Sequence, residues 1–88
     1  MKQYKIFAGL SGGFGGAKEY DIQEFATEED AQQYAYEVAC EIYESYEGLY
    51  GLRSIADIMA EESSSEEEAE DAYNEEREGW MSYYVKEV

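Results

Sequence analysis

Histidine is absent from these 88 residues, cysteine occurs once, and lysine and arginine together occur six times. Without His, general acid–base chemistry near neutral pH would fall to a carboxylate whose pKa burial has raised, and a structural zinc site lacks its usual ligands. The single Cys40 allows no intrachain disulfide and signals no secreted scaffold. It has no imidazole to activate it and lies among acids, so it reads as an inert, partly buried thiol. No apolar run approaches the roughly 20 residues of a membrane span, and none follows Lys2 and Lys5 as a signal peptide requires. These absences point to a soluble, cytoplasmic protein that is not an enzyme and carries no cofactor or metal.

What is abundant is negative charge. Twenty-two residues are Asp or Glu, all beyond residue 18, and the net charge is −16. A net charge of about 2–8 suffices to keep a small domain soluble, and self-repulsion beyond that costs stability. Direct contact with nucleic acid or anionic lipid would meet repulsion. The partner such a surface suits is a protein with a basic groove, and the commonest grooves of that kind hold DNA or RNA.

Periodicity and aromatic content argue for one folded domain over residues 1–88, despite the charge. Sixteen per cent of residues are aromatic, ten of them tyrosine. In KQYKIFAGL, residues 2–10, Tyr4, Ile6, Ala8 and Leu10 share one face and predict a strand. The glycines of SGGFGG form a turn before a second strand in AKEYDIQEF, with Tyr20 and Ile22 two apart, and the pair makes a hairpin. Thr27 resembles an N-cap followed by acids that suit a helix dipole. From there to Glu47, Ala31, Ala35, Val38, Ile42 and Tyr46 fall within an arc of about 80°, with Gly48 as the stop. Leu52, Ile55, Ile58 and Met59 predict a short second helix closing over the sheet.

Residues 61–78 hold ten acids and one arginine. Ser64 or Ser65 can cap a third helix there, with Ala69, Ala72 and Tyr73 as a thin apolar stripe, Gly79 at its end, and like charges at i, i+4 making it soft. WMSYYVKEV reads as a last strand. The order β-β-α-α-α-β predicts an α+β fold: a three-stranded, mainly antiparallel sheet with two to three helices on one face.

The glycine loop matches neither phosphate-binding pattern, and no EF-hand spacing occurs among the acids. The sharper feature is the main helix, where Asp30, Glu37, Glu41 and Glu44 share the face opposite the apolar arc over roughly 21 Å. No Lys or Arg interrupts that row, whereas a solvated face normally mixes signs. Glu66, Glu67, Glu68, Glu70 and Asp71 add a second acidic patch. Of the tyrosines, Tyr4, Tyr20, Tyr46 and Tyr84 read as core. Phe14, Tyr34, Tyr36 and Tyr43 read as aromatic anchors at a protein interface.

FGGA (14–17), ESYEGLYG (44–51) and EEREGWMSYYV (75–85) together resemble an uncharacterised family of small acidic proteins of bacteriophages and mobile elements. The resemblance implies a phage-like setting, in a host cytoplasm, where small acidic proteins recurrently inhibit restriction or CRISPR nucleases. The expectation is therefore a DNA mimic whose partner is a basic DNA- or RNA-binding protein, monomeric or dimeric. The rival expectation is an acidic accessory module or homo-oligomer without mimicry, in which charge serves solubility alone.

Overall fold

The structure is a computed structural model that describes all residues, 1–88. Its strands are β1 (Lys2–Leu10), β2 (Gly16–Phe25) and β3 (Met81–Glu87), and its helices are α1 (Glu28–Ser45), α2 (Ile55–Glu62) and α3 (Glu66–Trp80). The sheet is antiparallel in the order β2-β1-β3, so the first strand is central and the last returns beside it. This is the α+β architecture and element order that the alternation and periods predict.

Alternation along β1 puts Tyr4, Ile6, Ala8 and Leu10 on the inner face, where all four are buried. On β2 the alternation is broken. A register shift opposite Ile6 and Phe7 leaves Tyr20 between the residues paired with them, Asp21 and Glu19. Gln23 and Phe25 take the inner face, and Tyr20 and Ile22 are 54% and 47% exposed, so Tyr20 is not the core residue its spacing suggests. Tyr84 is likewise exposed and Tyr46 only half-buried, whereas Tyr4 is in the core.

Each helix starts on a side-chain cap. Thr27 Oγ1 accepts from the Asp30 N–H at 3.2 Å, and Ser65 Oγ accepts from the Glu68 N–H at 3.3 Å. Ser54 and Asp57 cap α2 reciprocally, each side chain accepting from the other's N–H at 3.1 Å. The third helix runs past Gly79 to Trp80 and enters β3 without a loop.

The core has two parts. Tyr4 and Ile6 pack against Ala31 and Ala35 at the start of α1. The larger part joins Ala8, Leu10 and Met81 of the sheet to Val38, Ala39 and Tyr43 of α1, then to Leu52, Ile58, Ala69 and Tyr73. The second helix packs on α3 instead of closing over the sheet. The buried arc of α1 is therefore rotated from the expected one: Ala39 and Tyr43 are fully buried, and Ile42 is only half-buried. The reason is Tyr73, whose ring meets Tyr43 edge-on at 5.6 Å, a contact from another helix.

Candidate functional site

Charge divides along the architecture. Residues 28–80, the helices and their connections, hold 18 acids and two arginines and so carry −16. The segments before and after, which contain all three strands, hold four acids and four lysines and are neutral. The whole net charge sits in the helical layer.

Both arginines of that layer are tied up internally. Arg53, just before α2, pairs with Glu61 at 2.9 Å, with Glu62 at 2.8 Å and with Glu76 of α3. Those bonds, to Glu76 first, hold its guanidinium well above its ordinary pKa. Arg77 lies 5.6 Å from the Tyr73 ring centre and donates through Nη2 to the Tyr36 hydroxyl at 3.1 Å. Tyr36 in turn donates to Glu78 Oε1 at 2.8 Å, and that bond, with burial second, pushes its pKa up to about 12.

On α1, Asp30, Glu37, Glu41 and Glu44 are all exposed and lie within an arc of about 60°. Glu37 accepts a long bond from Gln33 at 3.4 Å. On α3, Glu66, Glu67, Glu68, Glu70 and Asp71 are exposed too. The sequence reading missed how that patch continues. Glu67, Asp71, Glu75 and Glu78 fall within an arc of about 80° and are all exposed, making a second row along α3 of roughly 17 Å. The signal for it is the i, i+4, i+8, i+11 spacing of those four acids in the sequence.

The expected aromatic anchors fare differently. Tyr43 is fully buried against Tyr73, with its hydroxyl unpartnered and its pKa raised by burial, so it is core and no anchor. Phe14 is half-buried among Tyr46, Tyr50 and Trp80 and does not project freely. Tyr34 leans on Phe25 and accepts from Gln23 at 2.9 Å, and Tyr36 is engaged as above. These three are fixed walls of the surface and keep only part of their area free.

Cys40 is half-buried, 4.0 Å from the Met81 sulfur, and burial raises its pKa, which leaves it a poor nucleophile. No group of three or more potential ligands converges to hold a metal ion. No helix is long and apolar enough to cross a membrane. No family model, curated protein or solved structure matches the chain.

Proposed function

We propose that this protein is a non-enzymatic inhibitor that mimics DNA, its carboxylate rows occupying the basic groove of a nucleic-acid-binding protein. The observation that carries the reading is that the whole net charge of −16 falls in the helical layer, with its only two cations bound internally. From Glu37 to Glu44 on α1 and from Glu67 to Glu78 on α3, neighbouring carboxylates stand about 4.5–6 Å apart along the axis, a scale near that of the phosphates they would replace. Long-range attraction would speed encounter, and fixed aromatic surface would slow release. A host defence nuclease of restriction or CRISPR type, met in a host cytoplasm, is the partner that the phage-like resemblance suggests.

The test has two arms. A basic DNA-binding protein retained on the immobilised chain from a bacterial lysate should be displaced by duplex DNA, with affinity falling at least tenfold or so between about 50 and 300 mM salt. Reversal of Glu37, Glu41 and Glu44 to Lys should abolish that binding and leave the circular dichroism spectrum unchanged. Affinity that is flat with salt, or that survives the reversal, sinks the reading.

One observation favours the alternative of an accessory module or homo-oligomer. The outer sheet face, which no helix covers, carries Phe7 stacked on Tyr84 at 4.4 Å with Lys86 over both rings. A face that is neutral and aromatic is where a second copy would meet least repulsion.

A further inference from the structure

Four aromatic rings from separate stretches of chain converge at one end of α1. Phe14 comes from the glycine-rich turn, Tyr46 and Tyr50 from the connection after α1, and Trp80 from the end of α3. With Gly13 they line an open cleft of about 470 Å³. The Phe14 ring centre lies 5.1 Å from Tyr46, 5.8 Å from Tyr50 and 5.8 Å from Trp80, and the last two rings stand nearly perpendicular to it. Rings set at right angles form walls; they do not close into a stack.

The walls are held in place by backbone. The Ser11 N–H and hydroxyl both donate to the Trp80 carbonyl, at 2.8 and 3.1 Å, which ties the glycine turn to the helix end. Gly12 sits at φ +66°, and a Cβ there would lie 3.1 Å from the Trp80 ring. Tyr50 is the more telling residue. It is 76% exposed and has φ +53°, a left-handed conformation that costs an aromatic residue energy and that Gly or Asn would hold more easily. An exposed ring kept at a strained backbone position points to a role for the ring itself.

The chemistry of the cleft narrows its occupant. Ring faces carry negative quadrupole potential and attract cations, and an aromatic cage is a site for a weakly hydrated cation. No charged side chain lines this cleft. Lys18 belongs to a neighbouring hollow of about 260 Å³ beyond Phe14 and Tyr46. A net charge of −16 gathers cationic surfaces around the molecule. Among protein cations, arginine is planar, stacks on rings and gives up water more readily than lysine.

We propose that the Phe14–Tyr46–Tyr50–Trp80 cleft takes an arginine side chain presented by a basic partner protein. The inference rests on the reading of this chain as a binder of basic proteins. It adds to the diffuse field of the helices one place where a particular side chain is recognised.

Trp80 is the only tryptophan, so its fluorescence reports the cleft directly. The probe is acetyl-Gly-Arg-Gly-amide, titrated at about 150 mM salt, where charges beyond about 8 Å are largely screened. Its partner probe carries citrulline, which keeps the shape of arginine without the charge. The arginine peptide should shift Trp80 emission saturably, with the citrulline peptide about tenfold weaker or more. Tyr50→Asn, which accepts the positive φ, should lose the response with the circular dichroism spectrum unchanged. No saturable response, an equal response to citrulline, or an undiminished response in Tyr50→Asn overturns the proposal. The two readings fail separately: the arginine response without displacement by DNA removes mimicry and keeps the cleft, and displacement without the response does the reverse.

Discussion

Tyr36 shows how a single residue links the acidic surface to the fold. Its hydroxyl accepts from Arg77 and donates to Glu78, so the proton it carries holds α1 to the last turn of α3. In the folded chain that proton is kept up to about pH 12, chiefly because of Glu78, whereas an unfolded tyrosine gives it up near pH 10. Between those values the native state binds more protons than the unfolded one, so stability falls as pH rises. The contribution is complete below about pH 10 and gone above about pH 12. Urea unfolding followed from pH 9 to 12 or so should show a shallower decline in Tyr36→Phe than in the parent. Some decline should persist, because the Tyr43 and Tyr73 pKa values are also raised, for both mainly by burial. Equal slopes would mean that the Tyr36–Glu78 bond does not form in solution.

Among the elements, α2 is the one whose existence most needs explaining. Eight residues are too few for a stable isolated helix, since nucleation is unfavourable and propagation adds little over two turns. Three things hold it: the reciprocal cap of Ser54 and Asp57, the burial of Ile58 beside Leu52, and Arg53, which ties Glu61 and Glu62 to Glu76 on α3. Ser54→Ala leaves the Asp57 N–H in the first turn without its acceptor and should cost about 0.5–2 kcal/mol in urea unfolding. An unchanged midpoint would show that packing alone sets this helix. Such local signals explain what was legible beforehand. Thr27 with the 3.6 period marks α1, the alternation of Tyr4, Ile6, Ala8 and Leu10 marks β1, and Ser65 with Ala69 and Tyr73 marks α3. What such local signals do not carry is long-range. Tyr43 is buried because Tyr73 meets it, Phe14 is walled in because Trp80 arrives from residue 80, and Tyr20 is exposed because a bulge shifts its register. None of these contacts leaves a trace in the periodicity of its own segment. The carboxylate rows were legible because exposed positions obey helix geometry alone, which is also why Glu75 and Glu78 could have been added to them.

For the whole molecule, shape and charge act together. The fold measures 48 × 26 × 16 Å with a radius of gyration of 14.9 Å, against about 12 Å for a compact chain of this length. Only 15 residues are buried, so a small core must offset the mutual repulsion of the acids on α1 and α3. At 10 mM salt the Debye length is about 30 Å, so most of the helical layer repels itself as one body; at 150 mM it is about 8 Å, and only neighbours interact. The melting temperature should therefore rise by several degrees between about 10 and 150 mM sodium chloride and change little beyond. Neutralising Glu37, Glu41 and Glu44 to Gln should raise it at low salt and matter less at high salt. The same screening should weaken the hold on a basic partner, so stability and affinity are expected to respond to salt with opposite signs. That opposition separates two origins of the charge. An acidic surface that serves solubility alone gains stability with salt and loses no specific binding, whereas one shaped to replace phosphates gives up stability at low salt, where its attraction for a basic groove is strongest. A melting temperature that stays flat over this range would mean that the carboxylates are too far apart to repel one another, and by the same geometry too sparse to imitate a phosphate backbone.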